Sequence, residues 1–209
     1  MGRGAALLPA TISKSYIAFE GSRTIASGDL SSVVFKASAA SLADPSLPVL
    51  IFDGVTSQLI EVNLHGKPED LRGRIEQIES SMQPIEEPEA PHQAMRGPGR
   101  PKLGVVAREV TLLPRHWDWL ATQPGGASVA LRKLVEEARR ANQGQDRLRA
   151  AQEAAYRFMT AMAGNEPGFE EASRALFAGA RSRFERFVEP WPTDVAAHAR
   201  RLAEKVWVG

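Results

Sequence analysis

Residues 96–102 read RGPGRPK, and they lead through residues 105–113, VVAREVTLL, into a helical pattern that runs from Pro114 to Arg140. Proline lacks a backbone donor and glycine favours no single backbone basin, so the first stretch cannot be a helix or a central strand. We therefore expect an extended basic arm, followed by a short strand and then by helices.

The basic arm carries residues suited to the minor groove of DNA. An extended Gly-Arg-Pro core lets a guanidinium follow the floor of a narrow A·T minor groove, where the negative potential is strongest. The arm resembles an AT-hook, whose core is Arg-Gly-Arg-Pro, although here Arg96 is displaced by the inserted Pro98. Arg100 is the predicted inserting residue, and Arg96 and Lys102 are further nucleic-acid-binding candidates. A solvated, charged linker is the alternative interpretation.

Charge is distributed unevenly along a chain whose net charge is only +1. Residues 96–140 carry nine basic and four acidic side chains, whereas residues 67–95 carry three basic and seven acidic ones. A basic block inside a near-neutral protein is the electrostatic footprint of a phosphate-binding element. The distribution therefore predicts double-stranded DNA as the partner.

Several kinds of chemical site are missing from the sequence. Cysteine is absent, which excludes disulfides, thiolate zinc sites and cysteine nucleophiles. No histidine has a second histidine at metal-ligand spacing, and neither a glycine-rich phosphate loop nor a Gly-x-Ser-x-Gly turn occurs. We expect no enzyme activity, no metal and no cofactor. A small-molecule effector is left open, without support from any residue.

Apolar runs are too short for a membrane span of roughly 20 residues or for the core of a signal peptide. We therefore expect a cytoplasmic protein without membrane contact, associated with the nucleoid if it binds DNA.

The N-terminal part, residues 14–81, has the pattern of a small α+β domain. Two short apolar runs around a glycine turn indicate a hairpin, and Asp29 can cap a helix that ends near Ala43. Alternating residues in 49–53 and 58–64 indicate two further strands, and Pro68 opens a second helix. The predicted order is ββαββα.

The rest of the α+β chain divides into a linker and helical parts. Residues 82–102 form an acidic, proline-rich linker that ends in the basic arm. Residues 145–209 are helical throughout, and glycine and proline positions divide them into helices over 145–163, 167–188 and 192–207.

Residues 103–141 show a short strand, a helix from Pro114, a turn at 124–126 and a second helix from about Ser128. This order resembles a ribbon-helix-helix DNA-binding domain. The resemblance implies a homodimer in which two chains pair their strands into one ribbon in the major groove, while the helices form the dimer core. Ser128 could cap the second helix, whose free amides would then contact a backbone phosphate.

The candidate contacts of this module lie on the strand and on the second helix. Strand alternation places Arg108 and Thr111 on opposite faces, so the face that enters the groove stays open. Arg132 and Lys133 lie on the outer face of the second helix, where ordinary solvation is the alternative. Apolar residues at three-to-four spacing on the two helices are predicted to form a core: Trp117, Leu120, Ala121, Leu131, Leu134, Val135 and Ala138.

Three stretches are similar to an uncharacterised bacterial family, domain-of-unknown-function family 2239. They are residues 99–120, 125–134 and 154–163, and the resemblance extends over nearly the full length. It implies no activity, so the functional prediction depends on the residues themselves.

Together these features predict a homodimeric, sequence-specific or A·T-preferring DNA-binding protein that acts in transcription regulation. One alternative is a protein-interaction adaptor whose basic helices bind an acidic partner. A second alternative is an enzyme whose site the sequence does not reveal.

Overall fold

A computed structural model of the chain describes residues 14–82 and 108–208. The described part contains three strands and seven helices: β1 Tyr16–Glu20, β2 Arg23–Gly28, α1 Leu30–Ala43, β3 Val49–Asp53, α2 Pro68–Met82, α3 Pro114–Ala121, α4 Ala127–Ala163, α5 Phe169–Phe177, α6 Arg181–Val188 and α7 Thr193–Trp207. Apart from Met82, the predicted linker and basic arm, residues 82–102, lie outside the described residues.

The chain divides into two compact units. We call residues 14–82 together with 144–208 the large unit, and residues 108–143 the small unit. The division falls within α4, between Gln143 and Gly144.

The sheet of the large unit is antiparallel, with β1 in the centre and the strand order β2-β1-β3. The predicted hairpin is present. Gly21 lies in its turn with a φ of +54°, a backbone conformation that residues other than glycine rarely adopt. Asp29 caps α1 as predicted, since its carboxylate accepts from the Ser32 amide at 2.9 Å and from the Ser32 hydroxyl at 2.7 Å. The helix accordingly begins at Leu30.

Strand β1 is buried on both faces and separates two apolar cores. Ile17 and Phe19 pack into a core with α4 to α7, whereas Tyr16 and Ala18 pack into a second core with α1 and α2. A strand covered on both sides reads as a continuous apolar run rather than as an alternating one. The first four residues of β1, Tyr16 to Phe19, form that run.

The aromatic side chain of Phe158, on α4, connects the sheet to the C-terminal helices. Its ring centroid lies 5.4 Å from that of Phe19, 5.3 Å from that of Phe52 and 4.4 Å from that of His198. The sequence predicts separate domains over 14–81 and 145–209, and the structure differs here. Both segments contribute to one core, because each alone would leave an aromatic face exposed.

The predicted fourth strand, over residues 58–64, is not formed. After β3 the chain turns back and makes only an isolated bridge between Leu59 and Phe52. The Ile60 amide still donates to the Ile51 carbonyl at 2.8 Å, but the Leu64 carbonyl accepts from the Ser38 hydroxyl of α1 at 2.6 Å. The segment therefore bonds to β3 only at its start and to α1 at its end. The N-terminal order of elements is ββαβα.

Two predicted helix boundaries also differ. No break separates the second helix of the basic module from the helix over 145–163, because α4 continues through Gly144, and one glycine within a helix is tolerated. The helix predicted over 167–188 is two helices, α5 and α6. Gly179 lies between them with a φ of +67°, which ends a right-handed helix.

Within residues 14–82 and 108–208, no helix combines the length and the apolar content that crossing a membrane requires.

Candidate nucleic-acid interface

The small unit is built around a tight turn between α3 and α4. Helix α3 begins at Pro114, as predicted, because proline is accommodated in a first helical turn. After α3 the chain reverses through Gly125 and Gly126, whose φ angles of +84° and +76° are left-handed. A Cβ on Gly125 would lie 3.2 Å from the side chain of Val129. The left-handed backbone favours glycine at both positions, and a side chain at position 125 would also crowd Val129.

Ser128 lies inside the first turn of α4 and not at its cap. The helix begins at Ala127, and the Gly126 carbonyl accepts from the amides of Val129 and Ala130. The helix starts one residue before Ser128, directly after the two left-handed glycines. The exposed Ser128 side chain remains next to the helix N-terminus, where the helix dipole favours an anion.

Arg132 and Lys133 are exposed on the first turns of α4. The Nε of Arg132 donates to the backbone oxygen of Ser128 at 3.1 Å, which brings two of the predicted site residues together. Among the described residues no ion pair involves Arg132 or Lys133. Their charges are therefore not neutralised by a carboxylate of the described chain.

The next two cations on α4 are in a different situation. Arg139 and Arg140 both lie near the carboxylate of Glu136, at 3.5 Å and 3.3 Å. These contacts are solvent-exposed, so each is worth less than about 1 kcal/mol. Glu136 nevertheless offsets part of their charge.

Arg108 and Thr111 are both exposed and lie in a segment without regular strand structure. In the single chain, residues 108–113 form neither a helix nor a strand paired with another strand. A strand needs a partner for its backbone hydrogen bonds, and in a ribbon-helix-helix domain that partner is a second chain. The structure of one chain therefore leaves the predicted strand and its register as predictions.

Apolar side chains of the small unit are largely exposed, contrary to the predicted core. Leu120 and Ala130 are buried and Leu131 is half-buried, while Ala121 and Ala138 are exposed. Six large apolar side chains are exposed: Val110, Leu113, Trp117, Trp119, Leu134 and Val135. Trp117 is 42% exposed and Val135 is 63% exposed. Large apolar side chains that solvent reaches in this number indicate a face that a further molecule could cover.

Arg115 is an exposed cation that the candidate set does not include. It follows Pro114 in the first turn of α3, where a positive charge opposes the helix dipole. A cation at this position destabilises an isolated helix but would be favourable beside a phosphate. A basic residue directly after the proline that begins a helix is therefore the sequence signal that could have identified Arg115. Arg96, Arg100 and Lys102 lie outside the described residues.

A metal centre has no basis in the described part of the chain, where no cluster of three or more His, Asp or Glu side chains could hold an ion.

The described residues of the small unit carry six basic and four acidic side chains. The surface of the small unit therefore has a small excess of positive charge beside its exposed apolar side chains.

A family model described as an uncharacterized protein conserved in bacteria, domain-of-unknown-function family 2239, matches residues 15–203. The chain belongs to this family. Searches of curated proteins and of solved structures give no match.

Proposed function

We propose that this protein is a homodimeric DNA-binding protein of the ribbon-helix-helix type that acts as a transcriptional regulator. In the proposed dimer, two copies of residues 103–113 form an antiparallel ribbon in the major groove. The helices of the two small units pack against each other, and the basic arms reach the adjacent minor groove.

The exposed apolar surface of the small unit carries the proposal. Trp117 and Trp119 are on α3, and Leu134 and Val135 are on α4, all at least two-fifths exposed. Isolated apolar residues on a surface are ordinary, but a concentration of large ones between Val110 and Val135 indicates an interaction surface. A second copy of the same unit would cover it symmetrically, since a two-fold interface is self-complementary.

The exposed cations next to this surface support DNA as the partner. Arg115, Arg132 and Lys133 have no ion-pair partner in the described chain. Arg132 is held against Ser128 at the amino end of α4, where backbone amides and the helix dipole favour a phosphate. Such contacts orient a protein on the duplex without reading its sequence, so base recognition is assigned to the ribbon residues Arg108 and Thr111.

The experiment combines an oligomeric-state measurement with a DNA-binding assay on the full chain. Light scattering at micromolar concentration should give a dimer mass, and an electrophoretic shift at low salt should show binding to random duplex DNA. Leu134→Glu places a carboxylate on the proposed dimer surface and should yield a monomer with weak DNA binding. Leu42→Glu, at a 62% exposed apolar position of the large unit, is the matched control and should change neither.

Two outcomes would reject the proposal. A monomer mass for the unmodified chain removes the ribbon, because the ribbon requires two chains. A dimer that binds an acidic protein surface but no duplex DNA would favour the adaptor function, in which the same cations contact carboxylates.

A further inference from the structure

A groove of about 1000 Å³ opens on the large unit, and the proposed DNA-binding function does not use it. Its walls are the loop after β3, the first part of α4 within the large unit, and the C-terminal end of α7. All residues that line it belong to the large unit.

The floor of the groove is apolar and is made mostly of small side chains. Ala150 and Ala151 leave space along α4, and Leu148 adds an aliphatic surface one turn away. Val55 and Val208 line the sides and are 49% and 87% exposed. These methyl groups are exposed to solvent, so an apolar ligand that covers them is favoured.

The loop that forms one wall is tightly constrained. The Asp53 carboxylate accepts from the amides of Val55 and Thr56, at 2.9 Å and 2.7 Å, and the Ser57 amide donates to the Asp53 carbonyl. Ser57 itself has a φ of +53°, and its buried hydroxyl has no hydrogen-bond partner. A non-glycine residue in this conformation costs energy, and such strain is concentrated at functional sites. The wall is therefore fixed before any ligand arrives.

Cationic side chains line the groove in excess. The lining includes three cations, Arg147, Arg157 and Lys205, and two carboxylates, those of Glu153 and Glu204. Glu204 also acts on Arg181 outside the groove, where its charge helps to raise the pKa of that guanidinium after the contribution of Glu185. The remaining charge in the groove is positive.

Arg157 is the best-oriented of these cations. One of its guanidinium nitrogens, Nη1, donates to the Thr56 carbonyl, which fixes the side chain against the loop. The other donors of the planar fork are left for an oxygen pair such as a carboxylate. Arg147 lies ten residues earlier on the same helix, about 15 Å away along its axis.

We propose that this groove binds an amphipathic carboxylate with an unbranched alkyl chain. The carboxylate contacts Arg157, and the chain lies along α4 over Ala150, which shares a helix face with Arg157, towards Val208. An apolar floor with a cation fixed at one end matches this ligand chemistry. A neutral apolar molecule would desolvate the remaining guanidinium donors of Arg157 without pairing them, and a short anion would leave the apolar floor in contact with water.

The experiment is isothermal titration of the full chain with hexanoate, octanoate and decanoate, each below its micelle concentration. We expect saturable binding of one carboxylate per chain, with affinity rising about fourfold for each added methylene. Octanol is the matched neutral probe and should bind at least tenfold more weakly than octanoate. Octanol as tight as octanoate, or no saturable binding of decanoate, would overturn the proposal.

Three variants locate the site. Arg157→Gln should weaken octanoate binding by at least tenfold, and Ala150→Trp should abolish it by filling the exposed floor without altering the core. Arg149→Gln removes a neighbouring arginine that pairs with Asp146 and does not line the groove, so it should leave the affinity unchanged. Circular dichroism establishes that each variant is folded. A folded Ala150→Trp variant that binds like the unmodified chain rejects the groove as the site.

Discussion

The Nδ1 of His198 lies 2.6 Å from the Nη2 of Arg201, and the imidazole packs against the rings of Phe19 and Phe158. Arginine can only donate, so Nδ1 is the acceptor and the proton is on Nε2. That Nε2 is buried without a hydrogen-bond partner. The core of the large unit therefore holds a neutral histidine whose protonation has no compensating contact.

Acid should destabilise the protein through His198. Burial lowers its pKa from 6.5 to about 4, and the positive charges of Arg201 and Lys205 act in the same direction. The unfolded chain therefore binds more protons between these pKa values, and stability falls as the pH drops from 6.5 towards 4. The contribution should reach at most about 1.4 kcal/mol per pH unit.

Urea unfolding at several pH values between 4.5 and 7.5 measures this effect. His198→Phe, which cannot be protonated, should show a shallower loss of stability in acid than the unmodified chain. Parallel pH curves for the two proteins would contradict the assignment.

Phe158 should be essential to the stability of both the sheet and the C-terminal helices. Phe158→Ala removes a fully buried ring that contacts Phe19 and Phe52, and should cost about 3–5 kcal/mol. Amide hydrogen exchange should report the loss equally in β1 and in α7. Phe177→Ala, at a 51% exposed ring, is the control and should cost less than about 1 kcal/mol. Weaker protection confined to the helices would indicate two independent domains.

Local signals predicted much of the fold, whereas long-range pairing was harder to derive from one sequence. Asp29, the hairpin turn and Pro114 act within a few residues, and each prediction based on them is confirmed. The shared core was missed because Phe19 and Phe158 are far apart in sequence, and periodicity does not indicate which apolar faces meet. The continuous apolar run of β1 was the available signal that both its faces are covered.

The candidate site was predictable only in its parts. The glycine turn and the exposed positions of Arg132 and Lys133 follow from local pattern. The core predicted around Trp117 and Leu134 is exposed in the single chain, because apolar spacing marks a face for burial without saying which molecule covers it.

The turn of the small unit should not tolerate side chains. Gly125→Ala and Gly126→Ala each force a left-handed conformation that costs about 1–2 kcal/mol. Gly125→Ala should be the more damaging, because its Cβ would also crowd Val129, whereas a Cβ on Gly126 meets open space. Hydrogen exchange in the first turns of α4 measures both.

Gly144→Ala is the matched control for these substitutions. It lies within α4, where an added Cβ meets nothing within 4 Å, and should stabilise the helix by about 0.5–1 kcal/mol. If Gly125→Ala and Gly126→Ala change the stability no more than an ordinary surface substitution does, the left-handed backbone assigned to this turn is wrong.

The basic arm should contribute more on A·T-rich than on G·C-rich DNA. Replacing Arg100 and Lys102 with alanine should weaken binding to both, and insertion of Arg100 into a narrow minor groove makes the A·T loss larger. Fluorescence anisotropy with two labelled duplexes compares the losses. Equal losses would indicate a plain charge contact and reject the resemblance to an AT-hook.

The salt dependence of duplex binding by the full chain tests the proposed function most directly. We predict that log affinity falls linearly with log salt, with a slope of about −0.9 for each phosphate neutralised, and that the Arg132→Ala, Lys133→Ala double variant has a shallower slope. No binding to duplex DNA at low salt, or binding whose affinity does not change with salt, would contradict a DNA-binding function for this protein.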